Sequence, residues 1–295
     1  MASRAILPPM KSDIPGYTLL DSGDGRKLER FGELVIDRPS SLSSWRRRNP
    51  GIWESADAAY LPPDRWQHST KPFSSWTAQV AGVSLELELM SNGQLGIFPE
   101  HALYLPKIAH SFESLKKFRS EPLRVLNLFA YTGLATAFCV QHDGVFVTHV
   151  DLAKRAIDWA KHNVELNCKA TDRVRWIVDD ALTFMSREAR KGNAYDIIII
   201  DPPSFSRVSK NNSWTLEDKI PDIMNLVLDV LAPEAGVVFL TNHSAASTSD
   251  VARNIALDRF NDQGVRIEIE PLSLKEADTD RLLPAGSLIT LLHNL

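Results

Sequence analysis

From Pro122 onward, short apolar runs alternate with segments whose apolar residues recur every three or four positions. The runs Leu123 to Phe129, Val145 to Val150, Val174 to Val178 and Tyr195 to Ile200 predict strands. The intervening segments Leu134 to Gln141, Ala153 to Asn167 and Ala181 to Lys191 predict helices. In the second of these Ala153, Ala156, Ile157, Ala160 and Val164 share one face and Lys154, Arg155, Asp158, Lys161 and Glu165 the other, the pattern of a helix laid on a sheet. A helix at Glu217 to Leu231, a strand at Gly236 to Asn242, a further helix and closing strands at Arg266 to Glu270 and Ser287 to Leu292 complete a mostly parallel open sheet.

The first 110 residues differ in texture. They hold ten of the chain's seventeen prolines, which disfavours long helices. The run Leu34-Val35-Ile36 and the alternation from Val83 to Leu89 predict strands, the latter with Val83, Leu85, Leu87 and Leu89 on one face. A small β-rich region over 1–110 and an α/β domain over 111–295 are expected. Ser22-Gly23-Asp24-Gly25 reads as a hairpin turn and not a phosphate cradle, because no apolar helix follows it.

Composition narrows the class. With 44% hydrophobic and 24% charged residues the chain has the make-up of an ordinary globular protein, and its net charge is −4. No apolar stretch approaches the length of a membrane span. The N-terminus offers only Ala5-Ile6-Leu7 where a signal peptide needs a longer apolar region, and two cysteines, Cys139 and Cys168, make no disulfide framework, so a cytoplasmic location is expected. Neither a Gly-x-Ser-x-Gly elbow nor a Gly-Lys-Ser/Thr phosphate loop is present, which argues against hydrolase and kinase chemistry. The eight histidines lack zinc-type spacing, so no metal is expected.

Open parallel sheets bind ligands beyond the carboxyl ends of their strands. The first such turn, Asn127-Leu128-Phe129-Ala130-Tyr131-Thr132-Gly133, can turn backbone amides and a helix N-terminus towards a ligand, though a packing turn reads the same way. Asp151 ends the next strand 18 residues after Gly133, near the offset of a ribose-binding carboxylate. It is also suited to cap the helix that begins near Ala153, and the two roles are compatible. After the third strand, Asp179-Asp180-Ala181 offers a carboxylate for an exocyclic amine and an amide for a ring nitrogen, a pair that fits adenine. One of these aspartates caps the helix, and Asp180 is the expected ligand contact. The fourth strand runs into Asp201-Pro202-Pro203-Ser204-Phe205, where two prolines fix φ and remove two amide donors. The result is a stiff turn with a carboxylate and carbonyls to face a substrate, and Phe205 to stack on a planar ring.

The Asn-Leu-Phe-Ala-Tyr-Thr-Gly turn, the Asp151 position and the Asp-Pro-Pro-Ser-Phe turn together resemble class I S-adenosylmethionine-dependent methyltransferases, and more narrowly the bacterial large-subunit ribosomal RNA methyltransferase group. The similarity runs from roughly Leu95 to the C-terminus. It implies a Rossmann-like α/β fold with a seven-stranded sheet, and S-adenosylmethionine as cofactor. It further implies Asn127, Phe129, Ala130, Tyr131, Thr132 and Gly133 around the methionine part, Asp151 on the ribose, and Asp180 with Ala181 on the adenine. Asp201, Pro202, Pro203 and Phe205 then stand beside the acceptor, with Asp201 also bordering the cofactor. The segment Leu95-Gly96-Ile97-Phe98-Pro99-Glu100-His101 corresponds to a pre-motif of the group, in which Glu100 is the candidate to close over the methionine end.

One departure bears on mechanism. Relatives that methylate carbon 5 of a pyrimidine use a cysteine expected after the fifth strand, where this chain reads Leu240-Thr241-Asn242-His243-Ser244. A thiolate adduct is therefore disfavoured. The segment is more similar to that of relatives that methylate a base nitrogen, which needs no covalent adduct, and Asp201 or His243 is expected to orient the acceptor or to take a proton late. Helix-cap roles for Asn242 or Ser244, and a plain surface role for His243, fit the sequence equally.

An RNA partner is expected from the resemblance. The stretch Trp45-Arg46-Arg47-Arg48-Asn49, with Trp53, Trp66 and Trp76 nearby, reads either as phosphate contacts with base stacking or as the core of a β subdomain. Residues 1–110 balance twelve basic against twelve acidic residues, so any basic footprint is local. A protein or small-molecule acceptor and a non-catalytic RNA-binding relative remain as alternatives, the latter weighed against an intact Asp201-Pro202-Pro203. A nicotinamide enzyme would want three glycines where Asn127 to Gly133 has one. The oligomeric state is left open.

Overall fold

The computed structural model describes residues 7, 10, 13–69, 71–119, 122–168, 171–203, 205–209, 212–243, 249–260 and 264–295; for 205–209, 212–217 and parts of 249–259 it describes the backbone only. The chain divides into two compact units. One is Met10–Leu105 joined by Ser273–Ala285, and the other holds Pro106–Leu272 and Gly286–Leu295. The returning segment Ser273–Ala285 differs from the expected division, which placed all of 111–295 in one domain.

The N-terminal unit contains strands β1 (Tyr17–Gly23), β2 (Arg26–Phe31), β3 (Leu34–Pro39), β4 (Ala58–Leu61), β5 (Arg65–His68), β6 (Ser75–Val80) and β7 (Val83–Glu88). The first five form one sheet in sequence order, with only β3 and β4 parallel, and β6 and β7 form a hairpin. The Gly23-Asp24-Gly25 hairpin turn and the alternation of β7 are as expected: Gly25 takes φ +74°, and Val83, Leu85 and Leu87 are buried on one face. Trp53 packs with Leu28, Val35 and Ala56, whereas Trp45, Trp66 and Trp76 are half-buried, with Trp66 donating to the Met90 carbonyl (2.8 Å) and Trp76 edge-on to Phe73.

The second unit opens with α1 (Leu105–Leu115), a helix that the proline-rich sequence did not predict. Pro106 sits at its first turn, where its missing amide costs nothing. Then follow β8 (Leu123–Leu128), α2 (Leu134–Cys139), β9 (Val145–Asp151), α3 (Lys154–Glu165), β10 (Val174–Val178), α4 (Ala181–Arg190) and β11 (Ile197–Ile200). After an unanticipated hairpin of β12 (Phe205–Ser209) and β13 (Asn212–Thr215) come α5 (Leu216–Val230), β14 (Gly236–Asn242), α6 (Ser249–Phe260), β15 (Val265–Lys275) and β16 (Leu282–His293).

The seven-stranded sheet has the order β10-β9-β8-β11-β14-β16-β15. Its first five strands are parallel and β16 runs antiparallel to β14. β11 lies at the centre, which explains its four consecutive buried isoleucines: a strand covered on both faces has no polar side. Helices α4 and α5 contribute Phe184, Met185, Ile220, Ile223, Met224 and Val227 to the core over β8, β11 and β14. Strand succession runs one way from β8 and the other way from β11, so the crevice at their carboxyl ends is the switch point of the sheet. Among the described residues, no helix is long and apolar enough to cross a membrane.

Candidate active site

The loop after β8 is bent by an alternation of left-handed residues: Phe129 (φ +54°), Tyr131 (φ +48°) and Gly133 (φ +83°). Aromatic residues in this region cost on the order of 1–3 kcal/mol each and persist only where surroundings hold them. Here the hold is explicit. Ala130 donates its amide to the Val150 carbonyl (3.1 Å), Tyr131 to Asp151 Oδ2 (2.8 Å) and Gly133 to the Ala130 carbonyl (3.0 Å). From α3 the buried Asn163 donates to the Thr132 carbonyl (2.9 Å). Gly133 serves twice, because a Cβ there would also stand 2.8 Å from the Ala160 Cβ.

Asp151, at the carboxyl end of β9, binds both loops. Its Oδ1 accepts the Ala153 amide at the start of α3 (2.8 Å) while its Oδ2 holds Tyr131. The helix-start role read from the sequence is therefore present, and the carboxylate retains lone pairs for a ligand. Beside it Leu152 is 55% exposed, and Val178 at the end of β10 is 55% exposed. The sequence reading missed both. Their signal was apolar residues placed just at strand ends, where a planar ring could cover them.

After β10 the two aspartates divide their tasks. Asp180 caps α4, its Oδ1 accepting the Thr183 amide (2.9 Å), with buried Ala181 as the first helical residue. Asp179 accepts the Asp180 amide (2.9 Å) and pairs with Arg187, and its own amide is bonded to the Asp151 carbonyl (3.0 Å). The capping aspartate is thus the one favoured as ligand contact, and one of its oxygens is occupied.

A buried polar chain runs behind the first loop. Asn127 donates from Nδ2 to Thr136 Oγ1 (2.9 Å), and Thr136 lies 3.0 Å from His149 Nδ1. Burial, reinforced by the charge of Lys161, pushes the His149 pKa down to about 3, so the ring is neutral. The other ring nitrogen, Nε2, is buried with no hydrogen-bond partner among the described residues. Neither Thr136 nor His149 was singled out in the sequence. Their clue is a polar residue on an apolar helix and on a buried strand.

Asp201 follows β11, its amide 3.4 Å from the Leu128 carbonyl of β8, and buried Pro202 and exposed Pro203 complete the stiff turn. Asp201 Oδ1 accepts the Thr241 hydroxyl and lies 3.0 Å from His243 Nε2. Strands β11 and β14, paired in parallel with Ile200 opposite Leu240, bring these groups together. His243 is thus a half-buried partner of Asp201 and more than a surface histidine. Asn242 is buried at the end of β14. The Phe205 side chain, Ser204 and Ser244 lie outside the described residues. Glu100 belongs to the N-terminal unit, buried in the 3-10 turn Pro99–Tyr104.

The groups gathered in the second unit suit a nucleoside with an amino-acid arm: a carboxylate for a diol, apolar side chains for a base, and a buried amide for a polar tail. The comparisons agree. A family model for S-adenosylmethionine-dependent methyltransferases matches residues 58–262. The crystal structure of an S-adenosylmethionine-dependent methyltransferase from Agrobacterium tumefaciens is 32% identical, covers 100% of this chain and 98% of that one, and superposes with a TM-score of 0.84. Ribosomal RNA large subunit methyltransferase I of Cronobacter sakazakii is 24% identical over 86% of this chain and 67% of the relative. Ribosomal RNA large subunit methyltransferase K/L of Syntrophotalea carbinolica is 37% identical over 40% of this chain, but the match spans only 16% of that longer protein. The chain belongs to the S-adenosylmethionine-dependent methyltransferases, with S-adenosylmethionine as its methyl donor.

Proposed function

We propose that the protein methylates a base nitrogen in large-subunit ribosomal RNA by direct in-line transfer, without a cysteine adduct. The observation that carries the reading is the Asp201 carboxylate at the switch point, bonded to Thr241 and His243, in a chain whose two thiols lie elsewhere. Cys139 is buried at the end of α2, where desolvation pushes its thiol pKa up, and Cys168 follows α3 beside Arg173. The ribosomal RNA named for the relatives from Cronobacter and Syntrophotalea supports the substrate class.

S-adenosylmethionine supplies an electrophilic methyl group on a sulfonium, which leaves as a neutral thioether. Asp201 accepts a hydrogen bond from the acceptor's N–H and so aims the nitrogen lone pair. On methyl transfer the acceptor nitrogen would become cationic, and Asp201 or the adjoining His243 would take its proton. Pro202 and Pro203 fix the backbone that carries the carboxylate. Asp151 would hold the ribose, Asp180 and the Ala181 amide would meet the adenine, and Leu152 and Val178 would cover its faces. Asn127, its Nδ2 committed to Thr136, would have Oδ1 left to accept from the ammonium of the methionine arm.

Labelled-methyl transfer tests the function. With protein-free large-subunit ribosomal RNA as acceptor, label should enter RNA and nucleoside mass spectrometry should find the methyl on nitrogen. Label confined to protein or small molecules, or a carbon-methylated nucleoside, would overturn the reading. The Asn127 assignment has its own test. Thr136→Val removes the acceptor that orients the amide and should weaken S-adenosylmethionine binding about tenfold, the scale of one buried hydrogen bond. Binding of methylthioadenosine, which lacks the amino-acid arm, should stay unchanged in the same calorimetric series. Equal losses for both ligands would mean that Thr136 only supports the fold.

A further inference from the structure

The N-terminal unit presents three consecutive arginines on a loop that is fixed from beneath. Asp21 of β1 is fully buried and its carboxylate accepts four hydrogen bonds: Oδ1 from the amides of Ser22 (3.0 Å) and Arg48 (3.2 Å), Oδ2 from the amide of Asn49 (3.1 Å) and the Trp53 indole (2.9 Å). Burial alone would raise this carboxyl, yet the bonds from Trp53, Asn49, Arg48 and Ser22 outweigh it and keep the group ionised below the usual range. The loop lies so close to β1 that a Cβ on Gly23 would stand 2.4 Å from the Arg47 amide. Trp45 donates its indole N–H to the Ser22 carbonyl (3.0 Å), and its own carbonyl accepts the Asp24 amide (2.6 Å).

Neighbouring groups hold the guanidiniums of Arg47, Arg48 and Arg281. Arg47 stacks 3.8 Å from the centre of the Trp53 ring and faces Asp24 at 3.7 Å. Arg281 donates to the Arg46 carbonyl (3.2 Å) and Arg48 to the Ala277 carbonyl (3.3 Å), which brings a fourth arginine from the returning segment to the same edge. Arg46 and Arg48 are exposed, and among the described residues neither they nor Arg281 forms an ion pair. Asp278 and Asp280, exposed on the adjoining turn, also form none. Like charges held together without a counterion by a rigid loop are a preorganised anion-binding edge, whose cost is relieved when an extended polyanion is bound.

We propose that the loop 45–49 and Arg281 grip the sugar–phosphate backbone of the RNA substrate, with Arg46, Arg48 and Arg281 as the phosphate contacts. The inference rests on the proposed RNA acceptor and adds a second site on the chain, one that positions RNA without reading its sequence. It also reconciles a net-neutral N-terminal region with a nucleic-acid partner, since the positive charge is concentrated on one loop.

The test measures binding of the full chain to protein-free large-subunit ribosomal RNA over a series of potassium chloride concentrations. Each phosphate contact contributes about 0.7–0.9 to the slope of log K against log salt. Arg46→Ala/Arg48→Ala should therefore reduce the slope by about 1.4–1.8 and weaken binding at every salt concentration, with S-adenosylmethionine affinity unchanged. Asp278→Asn, which suits the left-handed backbone there (φ +57°), combined with Asp280→Asn should tighten RNA binding, a gain that damage to the fold does not produce. Arg30→Ala/Arg65→Ala, exposed but off the loop, serves as the control. An unchanged slope in the loop variant, or an equal fall in the control, overturns the inference and leaves the acceptor reading intact. Failure of the unaltered protein to bind RNA overturns both.

Discussion

Replacing Asp201 with asparagine is expected to lower methyl transfer by about 10²–10⁴-fold, the range of a positioned acid–base group, with S-adenosylmethionine affinity within about twofold of the unaltered protein. The substitution keeps the shape of the side chain, so the Thr241 hydroxyl retains an acceptor and the turn held by Pro202 is undisturbed. It removes the negative charge proposed to orient the acceptor N–H and to receive its proton. His243, 3.0 Å from the same oxygen, loses its anionic neighbour at the same step. In barrier terms the loss is about 2.7–5.5 kcal/mol. Single-turnover rates on RNA, together with calorimetry for the cofactor, separate the two effects. Asp201→Asn with unaltered turnover would remove the carboxylate from the mechanism, and a matching collapse of cofactor affinity would assign it to the donor side.

How much of this was legible in the sequence depends on whether the signal is local. The central strand β11 announced itself because a strand buried on both faces is apolar throughout, and α3 did so because one face packs on the sheet while the other meets water. Asp151 and Asp201 could be read because strand ends, once located, expose the next residue. The hairpin β12–β13 was missed: its Ser, Arg and Asn residues carry no clean alternation, and it pairs only with itself. Helix α1 was hidden by reading prolines as breakers, although Pro106 stands where a helix start tolerates one. The chain from Asn127 through Thr136 to His149 is drawn from β8, α2 and β9. No window along the chain contains it, so only the folded sheet reveals that three polar residues satisfy one another. Asp21 is the same case: four donors from positions 22, 48, 49 and 53 converge on a residue that by sequence is an unremarked polar position in a strand.

The second large effect is expected at Asp151, where alanine should weaken S-adenosylmethionine binding by about 10²–10³-fold. One charged hydrogen bond is worth about 1.5–3 kcal/mol, and Asp151 supplies more than one. Besides the ribose it is proposed to hold, its two oxygens accept the amides of Tyr131 and Ala153, each at 2.8 Å. Without the Tyr131 bond the loop loses a restraint on a residue at φ +48°, and relaxation of that strain moves the groups expected around the methionine arm. Asparagine, usually a mild replacement, should be nearly as harmful. Its amide offers one acceptor atom and one donor atom, while the site presents two N–H donors, so one backbone amide must face an NH₂ group. The prediction is therefore an unusual ranking, with Asp151→Asn close to Asp151→Ala and both far from the unaltered protein, read by calorimetry with S-adenosylhomocysteine and by the rise in melting temperature it confers. An asparagine variant that binds within about threefold of the original would show that Asp151 neither carries the ribose by its charge nor governs the loop, and would return the residue to the plain role of starting α3.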